Sequence, residues 1–266
     1  MLIVRIISAL AGIPIVLASV YFGGLWYALF LLLVLNMGAY EYNKLLRNKG
    51  YNSPAAFSFL GVSLFIITLY FDRHDFIYPL IMALLFFLFI SAFFRMDKKS
   101  IADSAFSLWG IIYIGGMGGY LLLLRMLPDG TLYTYLMLAG VWIHDSMAYF
   151  IGAKWGFRKF APQISPNKSV EGSLAGILGT VIILFSVPIL FPDFIPLSPG
   201  QAIIFAIGVS VFAQLGDLME SALKRQLKVK DSGAIIPGHG GILDRFDSLL
   251  LTAPFVYYFF LLLNLP

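Results

Sequence analysis

The sequence predicts an all-α, polytopic integral membrane protein with about nine transmembrane helices and a cytoplasmic N terminus. Hydrophobic residues make up 60% of the chain, and only 12% of the residues are charged. Soluble domains carry about 25% charged residues, so this composition indicates a membrane protein. The positions of Lys and Arg along the chain then give the orientation.

Nine apolar stretches approach the length of about 20 residues that a membrane-spanning helix needs. The weakest division is the one between the third and the fourth stretch, which only the polar residues 72–75 separate. We place the nine spans at about residues 2–22, 25–42, 55–71, 76–94, 106–124, 132–152, 174–191, 202–221 and 243–263.

Basic residues orient these spans, because cytoplasmic loops are enriched in Lys and Arg. With the N terminus in the cytoplasm, 16 of the 18 basic residues lie on the cytoplasmic side, and only Arg73 and Arg125 lie outside. The formal charge of +4 then requires no nucleic acid as a partner, because a basic cytoplasmic face attracts anionic lipid.

Composition also excludes several kinds of site. The chain has no cysteine, which rules out disulfides, thiolate metal sites and cysteine nucleophiles. The sequence contains no P-loop, HExxH, GxSxG or Rossmann motif. Residues 1–130 show no cluster of titratable groups within an apolar run. We expect one membrane domain, in which residues 1–130 provide packing, lipid access and dimerisation and residues 131–266 form a catalytic region with two cytoplasmic loops.

Carboxylates interrupt the apolar spans of the second half. Asp145 lies well inside the sixth span, and Asp217 and Glu220 lie at the cytoplasmic end of the eighth. A charged side chain in mid-membrane costs roughly 2.5–3.5 kcal/mol on insertion scales, so such residues are functional candidates. Asp244 and Asp247 stand where the ninth span begins.

Four of these carboxylates form two pairs that are suited to a metal ion. Asp217 and Glu220 are three residues apart, as are Asp244 and Asp247, so a helix places each pair on one face. Oxygen ligands without His or Cys at zinc spacing favour Mg²⁺. The alternative for each carboxylate is a helix cap or a salt bridge with Lys224 or Arg245.

Residues 221–247, which we call the signature segment, combine cations with a glycine-rich turn. The turn Pro237-Gly-His-Gly-Gly disfavours helix, because each glycine costs about 1 kcal/mol there, and its amides can bind an anion. His239 can donate to a phosphate or act as an acid, although a lone His is more often structural. The positive-inside rule also accounts for cations here. The predicted phosphate-binding cations are Lys224, Arg225, Lys230 and Arg245.

A second polar segment precedes the seventh span, with the sequence Ser-Pro-Asn-Lys-Ser-Val-Glu-Gly at residues 165–172. Lys168 offers a further contact to a phosphate. Ser169 is placed to cap the helix that follows, and capping alone would account for it.

These residues resemble the phosphatidate cytidylyltransferases (CDP-diacylglycerol synthases). The signature segment shows no departure from the family's pattern, and the segments around Asp145 and Lys168 resemble it too, so the resemblance covers about residues 140–255. The matching elements of the signature segment are Ser221, Lys224-Arg225, Lys230-Asp231, Pro237-x-His239-Gly240-Gly241 and Asp244-Arg245-x-Asp247.

The resemblance implies transfer of CMP from cytosolic CTP to phosphatidate in the bilayer, giving CDP-diacylglycerol and pyrophosphate. It further implies Mg²⁺, alone or with a second cation, and a homodimer in the inner membrane with its site facing the cytoplasm. The implied metal ligands are Asp217 and Asp244, with Glu220 and Asp247 as further candidates. The implied catalytic residues are Lys224, Arg225, Asp231, His239 and Arg245, and the implied substrate-binding residues are Asp145, Ser165, Lys168, Ser221, Lys230, Gly240 and Gly241.

Two other functions remain open from the sequence. Intramembrane carboxylates could line the path of an ion-coupled transporter, although the polar residues crowd one side and the two halves show no repeat. Another membrane enzyme acting on lipid phosphates is the closer alternative.

Overall fold

The computed structural model describes residues 2–95, 100–192, 195, 197–238 and 240–263. Helices dominate, as predicted. They are α1 (Leu2–Phe22), α2 (Gly24–Asn48), α3 (Ala55–Tyr70), α4 (Ile77–Arg95), α5 (Ser100–Gly110), α6 (Met117–Met126), α7 (Gly130–Trp155), α8 (Val170–Leu190), α9 (Pro199–Gln226) and α10 (Leu243–Leu263).

Eight of the nine predicted spans each coincide closely with one of these helices, and the fifth runs over α5 and α6. A π-helical turn, Ile111–Gly116, joins α5 to α6, so Ser100–Met126 forms one continuous span. Among the described residues, seven segments are long and apolar enough to cross a membrane, whereas α3 and the Leu10–Phe22 part of α1 are shorter. The chain is therefore a multi-pass membrane protein of helices. The number nine and the orientation stay predictions.

One short hairpin departs from the all-α prediction. Strand β1 (Lys159–Ala161) pairs antiparallel with β2 (Ser165–Ser169), with Lys159 opposite Ser169 and Ala161 opposite Ser165. Pro162 and Pro166 disfavour helix here because proline lacks an amide donor and fixes φ. Two polar strands thus replace the loop expected between α7 and α8.

The chain divides into two compact units. Unit 1 comprises Met1–Met126 and Leu227–Phe246, and unit 2 comprises Leu127–Gln226 and Asp247–Pro266. Most of the signature segment thus belongs with the N-terminal helices, while its two ends belong with unit 2. The roles that the sequence assigns to residues 1–130 and 131–266 stay predictions.

Unit 1 is built around α2, α3 and the helix from Ser100 to Met126. Tyr42 of α2 is fully buried, and its hydroxyl donates to the Phe106 carbonyl at 2.8 Å. Ring packing extends this contact, since Tyr42 lies against Trp109 with centroids 5.7 Å apart. This packing fixes the C-terminal part of α2, which also carries Glu41.

Unit 2 packs α7 against α8 and α8 against α9. The crossing of α7 and α8 is close where Gly172 faces Gly152. A Cβ at Gly172 would lie 2.8 Å from the Ala148 carbonyl oxygen and 3.0 Å from the Gly152 Cα, so only glycine fits. This close approach brings the hairpin and the first turn of α8 beside α7.

Candidate active site

Unit 2 contains a pocket of about 600 Å³, within the range of small-molecule sites. Its walls come from α7, both strands of the hairpin, the start of α8 and the polar part of α9. The pocket's charged and polar side chains are contributed by His144, Asp145, Tyr149, Lys159, Asn167, Lys168, Ser169, Ser173, Gln214 and Asp217.

An ion pair between two distant segments lies in this pocket. The Lys168 Nζ is 2.7 Å from the Asp217 Oδ2, which joins strand β2 to helix α9. The Ser221 hydroxyl donates to the other carboxylate oxygen of Asp217 at 3.1 Å. The side chains of Lys168 and Asp217 are 22% and 37% exposed, so both still reach the pocket. The sequence predicted that Lys168 and Asp217 serve one site, and the structure brings them into contact.

Helix α7 adds two ionisable residues to the same pocket. Asp145 is exposed toward it, and the neighbouring His144 is buried, with its ring against Gly176 of α8. From α9, the Gln214 side chain donates to the Ser173 hydroxyl at 2.8 Å. Asp145 was predicted from the sequence as a site residue, whereas His144 and Gln214 were not. An ionisable residue inside an apolar helix was an available signal for His144.

The end of α9 gathers further predicted residues. Glu220 is fully buried and pairs with Lys224 one turn later, which matches the salt-bridge alternative for this carboxylate. Asp247 is 8% exposed and lies within electrostatic range of Asp217 and Lys224. Arg225 is exposed, and its Nε donates to the Ile164 carbonyl of the hairpin turn at 3.0 Å. This last contact holds the turn next to Ser165.

The middle of the signature segment lies in unit 1, where Asp244 organises it. The Oδ2 of Asp244 accepts hydrogen bonds from the Ser232 amide at 3.0 Å, the Ser232 hydroxyl at 3.0 Å and the Gly241 amide at 2.8 Å. Gly240 has a φ of +83° and pairs with Ile236, which confirms the predicted non-helical turn. The Gly241 amide donates to the Asp244 carboxylate in this structure, and the binding of an anion by the amides of the turn stays a prediction.

The remaining predicted residues of this turn lie at the surface of unit 1 or outside the described part of the chain. Lys230, Asp231 and Arg245 are exposed. His239 lies outside the described residues. Because Asp217 belongs to unit 2 and Asp244 to unit 1, their convergence on one cation stays a prediction.

One acidic residue of the N-terminal half was missed. Residues 1–130 were expected to hold no cluster of titratable groups in an apolar run, but Glu41 of α2 is 1% exposed and accepts a hydrogen bond from the Leu243 amide at 2.9 Å. The available signal was a lone acid between apolar residues of a predicted span. Its partners lie some 200 positions later in the chain, so sequence spacing could not identify them.

Comparison with known proteins assigns the chain to a family. The family model described as Cytidylyltransferase family matches residues 3–263. A phosphatidate cytidylyltransferase of Synechocystis is 35% identical over 97% of this chain and 96% of its own length. The protein of that name from Staphylococcus saprophyticus is 36% identical over 94% of this chain and 96% of its own length. A third, from Bacillus subtilis, is 47% identical over 55% of this chain and 54% of its own.

The start of α8 provides a stability test. The Ser169 hydroxyl caps this helix by accepting from the Gly172 amide at 3.2 Å, as the sequence predicted. Replacing an N-cap serine by alanine costs about 0.5–2 kcal/mol, so Ser169→Ala should lower the free energy of unfolding in detergent by that amount. Ser186→Ala, which alters a hydroxyl late in α8, is the control and should change it by less than about 0.5 kcal/mol. Equal losses in the two variants would contradict the cap.

Proposed function

The chain belongs to the cytidylyltransferase family, and we propose that it transfers CMP from CTP to phosphatidate to give CDP-diacylglycerol and pyrophosphate. The relatives that match nearly its whole length carry the name phosphatidate cytidylyltransferase. The size and polarity of the pocket in unit 2 suit a nucleoside triphosphate.

The chemistry needs no protein nucleophile. A phosphate oxygen of phosphatidate attacks the α-phosphorus of CTP, a new phosphorus–oxygen bond forms, and the bond from the α-phosphorus to the bridging oxygen of the β-phosphate breaks, so pyrophosphate leaves. A phosphate monoester has its second pKa near 6 and is already largely dianionic at neutral pH, so a general base is optional. The protein must therefore position two anions and neutralise their charge.

The pair of Lys168 and Asp217 is the observation that carries this proposal. It joins segment 165–172 to the polar end of α9, just before the signature segment. The sequence had indicated both regions as candidate sites, each from its own residues. A cation and a carboxylate held together in a polar pocket supply a contact for a phosphate oxygen and a ligand for a metal ion. An ion-coupled transporter would not require a lysine placed to contact a phosphate.

Mg²⁺ fits the oxygen ligands of this site. No group of three or more His, Cys, Asp or Glu residues suited to a metal ion occurs within the described part of the chain. Mg²⁺ is commonly held by one or two carboxylates together with phosphate oxygens and water, so a smaller protein contribution suffices. We assign Asp217 and Asp244 as its ligands, with Glu220 and Asp247 as weaker candidates and a second cation as an option. When bound, Mg²⁺ would neutralise charge on the phosphates.

The cations near these carboxylates have complementary roles in the proposal. Lys168 contacts a phosphate of CTP or of the lipid, and Lys224 and Arg225 stand at the polar end of α9. Asp231, His239 and Arg245 complete the proposed catalytic group. Proposed substrate contacts also come from Asp145, Ser165, Ser221, Lys230, Gly240 and Gly241.

The proposed location is the inner membrane, with the N terminus and the site on the cytoplasmic side. The distribution of Lys and Arg supports this orientation. CTP then enters from the cytosol, while phosphatidate arrives laterally from the bilayer. A homodimer is part of the proposal. The family match favours this enzyme over the ion-coupled transporter and over other enzymes of lipid phosphates.

A direct assay tests the proposal. Purified protein is incubated in detergent or vesicles with CTP, phosphatidate and Mg²⁺, and pyrophosphate and CDP-diacylglycerol are measured. Stoichiometric formation of both products is expected. Release of pyrophosphate without the liponucleotide, or turnover that does not need phosphatidate, would reject the assignment.

Lys168 should act on the reaction rather than on the fold. Loss of a charge-assisted phosphate contact costs about 1.5–3 kcal/mol, or roughly ten- to a hundredfold in rate. Lys168→Ala should lower kcat/KM for CTP or phosphatidate by that factor at unchanged thermal stability. Lys154→Ala, which alters an exposed cation at the end of α7, serves as the control and should keep normal kinetics. Reduced stability with normal kinetics in Lys168→Ala would make the residue structural.

Asp217 should be needed for turnover. Asp217→Asn keeps the size of the side chain but removes the charge that faces Lys168, so we expect activity to fall by about a hundredfold or more. Excess Mg²⁺ should restore only part of it. The control Asp75→Asn alters an exposed acid between α3 and α4 and should leave activity unchanged. Activity of Asp217→Asn within a few-fold of the wild type at saturating Mg²⁺ would exclude the metal assignment.

Orientation can be tested because the chain has no native cysteine. Cysteines at Asn167 and Ala234, which are both exposed, should react with an impermeant thiol reagent only from the cytoplasmic face. A cysteine at His74, in the exposed turn between α3 and α4, should react only from the outside. The reverse pattern of labelling would overturn both the orientation and the proposed route of CTP.

A further inference from the structure

Glu41 is an acidic residue of α2 for which the proposed reaction supplies no role. Its side chain is buried at 1% exposure in the N-terminal part of the chain. A buried carboxylate in an apolar helix is costly unless its surroundings compensate. The groups around it therefore indicate why it is present.

The Oε2 of Glu41 holds two points of the signature segment. It accepts hydrogen bonds from the Leu243 amide at 2.9 Å and from the Ser232 hydroxyl at 3.2 Å. Leu243 is the first residue of α10 and follows the glycine-rich turn, and Ser232 lies five positions before that turn. One carboxylate oxygen thus ties the chain on both sides of the turn to α2, within unit 1.

The Ser232 hydroxyl links this contact to Asp244. The same Ser232 Oγ lies 3.0 Å from the Asp244 Oδ2, which the amides of Ser232 and Gly241 also bind. A hydroxyl has one hydrogen, so the two carboxylates share it. The orientation of the Asp244 carboxylate therefore depends on where Glu41 holds Ser232.

The turn is shaped around the Glu41 carboxylate. A Cβ on either Gly233 or Gly241 would overlap it, so a larger residue at either position would have to displace the carboxylate. Among the described residues, no group forms a hydrogen bond with the Glu41 Oε1, which is buried. A buried oxygen without a partner costs about 1–3 kcal/mol. Stability alone does not account for an acid at this position.

We propose that Glu41 is a positioning residue that fixes residues 232–243 against α2 and thereby orients Asp244. The inference rests on the proposed function for its catalytic consequence, because there Asp244 holds Mg²⁺. Glu41 does not contact the substrates in this scheme. It acts through the Ser232 hydroxyl and the Leu243 amide.

Kinetics give the first test. Glu41→Ala and Ser232→Ala should each lower kcat by about tenfold or more and raise the Mg²⁺ concentration needed for half-maximal rate. Because the two residues share the contact through the Ser232 hydroxyl, the double variant should lose clearly less activity than the product of the two single losses. A double variant in which the two losses multiply would overturn the shared path. So would Glu41→Ala with normal kcat and normal Mg²⁺ dependence.

Asn36→Ala is the matched control on the same helix. Asn36 is part-buried, and its amide donates to the Ser63 hydroxyl at 3.1 Å rather than to the signature segment. It should lower thermal stability without changing kcat or the Mg²⁺ dependence. If Asn36→Ala shifted both kinetic quantities as Glu41→Ala does, the effect of Glu41 would be general loosening of α2 and the proposal would fail.

Hydrogen exchange tests the same idea without substrate, metal or turnover. In Glu41→Ala, peptides that cover residues 232–243 should exchange about tenfold faster or more, while peptides from α3 and α6 stay unchanged. In Asn36→Ala the segment 232–243 should keep its protection. An unchanged segment in Glu41→Ala would overturn the positioning role even if the wild type is active. If the wild type were inactive, the proposed function would be rejected. The exchange data would still decide whether Glu41 positions the segment.

Discussion

Carboxylates that lie in apolar helices must be partnered, and this constraint accounts for the polar contacts around the candidate site. The cost of an unpartnered charge in such surroundings amounts to several kcal/mol. Asp217 is paired with Lys168, and Glu220 with Lys224. Asp244 is bound by two amides and a hydroxyl. The Glu220–Lys224 pair lies within α9, whereas the pair of Asp217 and Lys168 attaches the hairpin to α9 and the bonds of Asp244 attach the glycine-rich turn to α10.

In the proposed reaction, the contacts that neutralise these carboxylates also serve the chemistry. A lysine that neutralises a carboxylate in a pocket is also placed to bind a phosphate oxygen. Transfer of a nucleotidyl group to a lipid phosphate brings together several negative charges, and the protein contributes chiefly position and positive charge. In the proposed reaction, the polar segments that compensate the carboxylates are therefore also the segments that bind the substrates.

Much of the fold was predictable because membrane helices have a strong sequence signal. Length and hydropathy place the helices, and the fixed helical spacing puts Asp217 on the same face as Ser221, as the structure confirms. Ser169 was also predicted correctly as a cap, since capping depends on neighbours within three residues. The hairpin between α7 and α8 was missed, because strands of only three and five residues are too short to show a clear alternation.

The sequence by itself determined the helical membrane architecture, the family resemblance and the residues that carry charge, because these depend on composition and on short-range spacing. Tertiary structure decided which charges meet. It pairs Lys168 with Asp217 and gives Glu220 to Lys224. It also brings Glu41 of α2 to the Leu243 amide across 202 positions of the chain. Contacts between distant segments depend on how the helices pack, and local sequence patterns do not encode that packing.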